Sequence, residues 1–297
     1  MPLDQVSNDD IDKYEFKTES EEKNPEDELK GSEMSLIDHL ETLRWHLIRA
    51  TIAVGVLMIV AFFNIKWIFE NILIAPAKTN FWTYQQLCAL GEYLGTKEAL
   101  CIQKISFELQ SRTMTGQFMM SITASAMIGL IIGFPYIFWE IWQFVKPALY
   151  KKEQKAASGA VFWVSMLFLL GVVFGYYVVT PLSINFLANY QIADSIKNQF
   201  DIVSYLSTVI TLVIGCAFLF QLPILVYFLA KIGVITASFM RKYRRHAIVV
   251  ILILAGVITP PDVFSQIIVS LPLWVLYEIS INIALSVEKN IAKEEEK

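Results

Sequence analysis

The chain has 297 residues, of which 55% are hydrophobic and 13% aromatic, and its mean hydropathy is +0.51. A soluble core of this size does not bury so many apolar side chains, so the composition excludes an ordinary soluble domain and points to an integral membrane protein. The net charge of −4 hides two parts: residues 1–33 hold twelve acidic and four basic residues, a balance of −8, so residues 34–297 carry +4.

The acidic tail, residues 1–33, has no Trp, no Cys and no sustained apolar periodicity. It cannot offset ordering entropy by burial and is expected to be disordered. Nor does it show the basic-then-apolar order of a signal peptide. Next, Ser35 and Asp38 have the form of a capping box. Leu36, Leu40, Leu43 and Leu47 follow at helical spacing, so an amphipathic helix is expected to lie on the membrane surface and then turn in. It is either an interfacial anchor or a docking surface that brings Glu41 beside Glu153.

Crossing a hydrocarbon core of about 30 Å takes roughly 20 helical residues. Stretches free of Asp, Glu, Lys and Arg mark four plain spans, at 50–65, 113–139, 156–193 and 202–230. The third is expected to be cut near Pro181, whose ring and missing N–H oppose a continuous helix. Residues 247–261 and 263–277 make a fifth and sixth, a hairpin turned by Thr259, Pro260, Pro261 and Asp262. From Ala247 to Ile258 there is only about 18 Å of helix. Such a hairpin thins the bilayer, is shielded by its neighbours or stops before the far surface, unless Arg244 and Arg245 simply snorkel.

Lys146, Lys151, Lys152 and Lys155 follow the second span; Lys231, Arg241, Lys242, Arg244 and Arg245 follow the fourth. The loops after the third and fifth hold only Lys197. This asymmetry puts both termini in the cytosol, with Cys88 and Cys101 in a long outer loop. There the two cysteines either pair or remain small unpaired apolar residues. The loop from Phe134 to Lys155 carries Phe138, Trp139, Trp142 and Phe144 in the manner of an interface belt, beside its lysines and Glu153. It reads as a presented surface.

Polar residues within spans are few: Gln117, Gln221, Asn282 and Glu278, with Gln266 near a helix start. Glu278 is a candidate because an intramembrane carboxylate is costly, although it lies near enough to the inner surface to reach headgroups. Gln221, followed by Pro223, is mid-span and is expected to hydrogen-bond another helix or face a wet cavity. His39, His46 and His246 are dispersed, and no CxxC, HExxH, Ser–His pair or Gly-rich phosphate loop exists. Neither a metal, a cofactor nor an enzyme site is expected, and the basic residues are juxtamembrane clusters rather than a nucleic-acid surface.

Several segments taken together resemble a known family. They are HLETLRWHLIR before the first span, FPYIFWEIWQFVKPALYKKE at the second loop, FGYYVVTPLSINFL at the end of the third span, and ITPPDVFSQ with LPLWVLYEI in the hairpin. They are similar to TatC, the core component of the twin-arginine translocase, over about residues 35–285. The resemblance implies an all-α integral membrane protein with six transmembrane helices, both termini cytosolic, in a concave, glove-like bundle. On this view residues 1–33 are the acidic cytosolic tail, 34–285 the translocase domain and 286–297 a charged cytosolic tail.

It further implies recognition of twin-arginine signal peptides of exported proteins in a bacterial inner membrane. The family's arginine-binding acid maps onto Glu153, with Phe144, Pro147, Leu149 and Tyr150 around it. The amino-terminal HLxELR motif maps onto His39, Leu40, Leu43 and Arg44. Thr42 stands where that motif has glutamate, and Glu41, one residue earlier, lies about 100° round the helix. At Gln221 many relatives carry Glu. Gln221, Pro223, Asp262, Gln266, Glu278 and Pro76 are the candidate concave-face positions for single-span TatA- and TatB-like partners, within a larger self-associated complex driven by the proton-motive force. A secondary transporter with a mid-membrane polar site is the alternative; it predicts internal repeats, which the sequence does not show.

Overall fold

A computed structural model describes residues 36–93, 95, 101, 107–146, 159–193, 198–260 and 263–295, with side chains from residue 41 except 264 and 293–295. The expectations for Ser35, Pro147, Leu149, Tyr150, Glu153 and Asp262, and for the His39 side chain, lie outside the described residues. Met1–His46 and Leu47–Lys297 are separate compact units.

The elements are α1 (Leu36–Phe63), α2 (Trp82–Tyr93), α3 (Gly116–Val145), α4 (Ala160–Phe174), α5 (Thr180–Asn189), α6 (Ile202–Leu219), α7 (Leu222–Lys231), α8 (Ala237–Lys242), α9 (Arg244–Ile258) and α10 (Val263–Glu295). Among the described residues, five helical stretches are long and apolar enough to cross a membrane: Glu41–Phe63, Gly116–Val145, Ala160–Asn189, Ile202–Lys231 and Ser265–Ala292. The remaining expected span, α9, has 15 residues, or about 22 Å of helix. Its partner departs from the expectation of a short pair, because α10 runs for 33 residues, well past the apolar stretch that suggested its end.

Two pairs of glycines set the closest helix contacts. Gly129 and Gly133 on α3 face α1, where a Cβ added to Gly129 meets the Met58 nitrogen at 2.9 Å and the Val54 carbonyl at 3.0 Å. Gly171 and Gly175 face α6, where a Cβ on Gly171 meets Ala217 Cα at 2.7 Å and the Cys216 carbonyl at 2.8 Å. Both pairs have the small-xxx-small spacing that lets backbones approach where lipid removes any hydrophobic drive for helices to associate.

Pro181 does not cut the third span. A π turn at Gly175–Val179 joins α4 to α5, with proline in the first turn of α5. The extra residue absorbs the ring, and hydroxyls take over the bonds that proline cannot make. Thr180 Oγ1 donates to the Gly175 carbonyl at 2.8 Å, and Thr83 Oγ1 donates to that of Tyr177, the i−4 carbonyl for which Pro181 has no N–H.

A second irregular stretch follows α1, as a π turn at Phe69–Leu73 and a 3₁₀ turn at Ala75–Ala77. Its carbonyls are claimed by three tyrosines. Tyr176 donates to Ile72 at 2.7 Å and Tyr205 to Leu73 at 2.9 Å, while the Tyr84 hydroxyl shares its proton between Pro76 at 2.9 Å and Pro181 at 2.8 Å. Burial pushes the Tyr84 phenol well above its ordinary value and keeps it a donor. Pro76 is therefore part of this clamp.

A short parallel pair, β1 (Glu108–Gln110) with β2 (Gln199–Asp201), joins the segment between α1 and α3 to the segment between α5 and α6. The two connections lie at one end of the bundle. Arg112 donates to the Gln199 carbonyl at 3.2 Å, and Asp201 caps α6. Cys88 and Cys101 stand with Cα atoms 4.2 Å apart and their sulfurs within bonding reach. At the other end α7 closes at Gly233, whose φ of 75° suits glycine, with Val234 N–H reaching back to the Leu229 carbonyl at 2.9 Å.

Candidate functional site

Toward the C-terminal end of α3 the aromatics divide between two environments. Phe134, Phe138 and Trp142 recur every fourth residue and form one face, with Phe134 stacked on Phe168 of α4 and Trp142 5.8 Å from Phe228 of α7. Trp142 is buried, so it packs helices together rather than serving the interface belt. Trp139, about 100° round the helix from Phe138, is 43% exposed. Phe144 is half-buried in the last turn, one turn beyond Glu140 and two residues before the exposed Lys146. In the unit ending at His46, Glu41, Thr42 and Arg44 are all exposed on the helix.

Sequence reasoning passed over Glu140, which is the one charged side chain buried among the described residues, at 1% exposure. The Tyr136 hydroxyl donates to its Oε1 at 2.6 Å. The signal was available: Glu140 is the sole charge between Arg112 and Lys146, with tyrosine four residues before it, but it lies one residue beyond the apolar stretch and passes for its edge.

Gln221 occupies the break between α6 and α7 that Pro223 imposes. Contrary to expectation its hydrogen bond is to its own helix, from Nε2 to the Ala217 carbonyl at 3.4 Å, while Oε1 is buried without a partner. The other polar candidates stitch the hairpin. Gln266 Nε2 donates to the Leu252 carbonyl at 2.9 Å, and Glu278 pairs with Arg244 at 2.8 Å, each tying α10 to α9. Glu288, also missed, accepts from Ala237 N–H at 2.7 Å and caps α8. Gln117 is an exposed residue in the first turn of α3, not mid-span, and Asn282 is exposed on α10.

The hairpin tip lies deep. Ile258, the last residue of α9, packs on Gly215, where an added Cβ comes within 2.7 Å of it. Gly215 is about 20 Å along α6 from its first residue, Ile202. Of the options for a short hairpin, α9 stops before the level reached by its neighbours. The space left is a cavity of about 300 Å³ lined by Ser207, Thr208, Thr211, Thr259 and Pro260 with Leu187 and Ile258. Thr259 is buried, and its hydroxyl donates to the Ala255 carbonyl at 2.9 Å.

These features define a polytopic helical membrane protein with irregular backbone held by its own hydroxyls, and no group of three metal-ligating side chains among the described residues. Residues 38–272 match the family model for the Sec-independent protein translocase protein (TatC). The chain is 39% identical over 259 residues to TatC of a Blattabacterium from Periplaneta americana, covering 87% of this chain and 97% of that one. It is 30% identical over 265 residues to TatCy of Bacillus subtilis strain 168, covering 89% of this chain and 94% of that one. TatC of Helicobacter pylori strain J99 is 45% identical over 166 residues, 56% of this chain. A crystal structure described as the twin arginine translocase receptor TatC superposes with a TM-score of 0.63 at 31% identity, over 84% of this chain and 99% of that one. The chain belongs to the TatC family. Membership makes it a component of a protein translocase rather than an enzyme, and the transporter alternative falls away.

Proposed function

We propose that this protein is the receptor subunit of a twin-arginine translocase in a bacterial inner membrane, with six spans, both termini cytosolic and a concave membrane-embedded face. The observation that carries the reading is the superposition on a twin arginine translocase receptor over nearly that protein's whole length. On this reading Glu41 and Arg44, both exposed, with His39 in the same motif, contact the signal peptide from one unit, and Phe144, Pro147, Leu149, Tyr150 and Glu153 contact it from the other. A guanidinium binds a carboxylate through two parallel hydrogen bonds that lysine cannot reproduce, so one or two acids suffice to select arginine.

Single-span TatA- and TatB-like partners assemble on the concave face, where Gln221 offers its buried carbonyl oxygen to a polar group on an incoming helix. The hydroxyl-lined cavity above Thr259 belongs to the same face, and the outer loop carries a Cys88–Cys101 disulfide. Glu153→Gln tests the core of the reading. Crosslinking of a twin-arginine signal peptide to the protein and export of a twin-arginine precursor should both fall; normal export with unchanged crosslinking removes Glu153 from the site.

A further inference from the structure

Three membrane-crossing stretches end around one small cleft. The stretch Glu41–Phe63 runs out just before it, and Gly116–Val145 and Ile202–Lys231 begin beside it. The cleft, of about 180 Å³, has Lys66, Glu70 and Gln117 among its lining residues, together with the apolar Phe69, Met120 and Ile202. Ends of apolar spans lie at the level of lipid headgroups, and Trp67, exposed beside Lys66, is the residue type of that level.

The apolar lining is half-buried, whereas Lys66, Glu70 and Gln117 are exposed. The ammonium, carboxylate and amide of these three have no hydrogen-bond or ion-pair partner among the described residues, although Lys66 and Glu70 are a turn apart and opposite in charge. Glu70 lies in the π turn Phe69–Leu73, and Lys78 Nζ donates to its backbone carbonyl at 2.8 Å, fixing the chain behind the carboxylate. One turn of helix, about 10 Å wide and about 5.4 Å long, is more than twice as large as the cleft, so a partner helix does not enter it. A small group that carries both charges does.

We propose that this cleft binds the headgroup of a zwitterionic phospholipid with a primary ammonium, of the phosphatidylethanolamine type. Lys66 meets the phosphate, Glu70 and the Gln117 carbonyl oxygen meet the ammonium, and the acyl chains lie along Phe69 and Met120. A primary ammonium brings three N–H donors and the trimethylammonium of a choline lipid none, so a choline headgroup is disfavoured. An anionic lipid satisfies Lys66 but sets its net charge against Glu70. On the topology proposed above the lipid belongs to the outer leaflet, and the recognition chemistry is the same on either face.

Full-length protein is reconstituted into vesicles of equal parts phosphatidylethanolamine, phosphatidylglycerol and phosphatidylcholine, re-extracted in mild detergent, and its retained phospholipid identified by native mass spectrometry. Phosphatidylethanolamine should be enriched over each of the others by about fivefold, the scale of one exposed ion pair. Glu70→Lys should turn the preference toward phosphatidylglycerol, and Lys66→Gln should lower retention of phosphatidylethanolamine. Glu108→Gln, exposed on β1, should change nothing. Equal retention of the three lipids by the parent, or an unaltered preference in Glu70→Lys, overturns the assignment. So does a loss in Glu108→Gln as large as in Lys66→Gln, which would show a general effect of charge. Should Glu70→Lys fail to fold, a photo-reactive residue in place of Met120 should form phospholipid adducts in native membranes; adducts with proteins alone give the cleft to a partner and refute the proposal. None of these outcomes involves Glu153, so the receptor reading is tested separately.

Discussion

Replacing Gly171 with alanine adds one methyl group where α4 and α6 touch. Its Cβ would lie 2.7 Å from Ala217 Cα, 2.8 Å from the Cys216 carbonyl and 2.9 Å from Phe220 Cβ, where ordinary contacts begin at 3.4 Å. None of these atoms is the free end of a flexible side chain, so the helices must separate by about 0.7 Å. A gap of about 0.5–1 Å forfeits a quarter to a half of each facing dispersion contact, and overpacking of a tight core costs about 1–3 kcal/mol. We expect a loss of about 2 kcal/mol, or roughly 3 °C in the midpoint for a protein of this size. Heating the purified protein in mild detergent and following the monodisperse fraction by fluorescence-detected size exclusion reads the shift. Gly55→Ala is the control, because nothing lies within 4 Å of its added Cβ and alanine gains up to about 1 kcal/mol of helix propensity. If Gly171→Ala melts at or above the parent while Gly55→Ala also does, close backbone approach does not set the α4–α6 contact.

Three further outcomes are expected. Cys88 and Cys101 should resist alkylation until reduced, giving a two-proton mass shift, whereas free thiols before reduction would show that the outer loop is not bridged. Gln221→Leu removes a buried oxygen that has no partner, so melting should hold steady or rise while co-purification of single-span partners drops; an unchanged yield of partners would show that this glutamine receives nothing. Thr211→Cys sits about 14 Å into α6 yet lines the hydroxyl cavity. It should react with a charged, membrane-impermeant thiol reagent added from outside, and Phe218→Cys, exposed on the same helix, should not. Silence at both positions would mean that the cavity is dry.

The spans were legible because an uncharged run long enough to cross the bilayer leaves few alternatives to a helix. Their ends and breaks were less so. Pro181 suggested a cut because the rule concerns its missing hydrogen bond, and no local pattern reveals that Thr83, almost a hundred residues away, supplies the donor. The length of α10 was hidden for a related reason: Glu278 and Glu288 look like the end of an apolar span, but each is spent on a partner, Arg244 and the Ala237 N–H. Gln221 was found from polarity alone, while the direction of its bond depends on the bend at Pro223. Glu140 shows the opposite failure, since stopping the span at the last uncharged residue excluded the carboxylate that the fold buries.

The two halves of the bundle are specified by different interactions. In one half, irregular backbone at Phe69–Ala77 and Gly175–Val179 leaves carbonyls that lipid cannot satisfy. Thr83, Tyr84, Tyr176 and Tyr205 meet them from three separate elements, so a shift of any one of these elements strands a polar group. The α9–α10 hairpin is placed by apolar packing of Ile251, Ala255, Val269 and Leu273 against Leu212 and Cys216, with a buried Ser183–Ser265 hydrogen bond to α5, while Gln266 and the Arg244–Glu278 pair join its own two helices. Apolar surfaces tolerate small changes of register that a buried hydrogen bond does not. The hairpin is seated by such packing with the buried Ser183–Ser265 bond beside it, so a shift of the hairpin that accommodates a partner helix must keep or replace that bond.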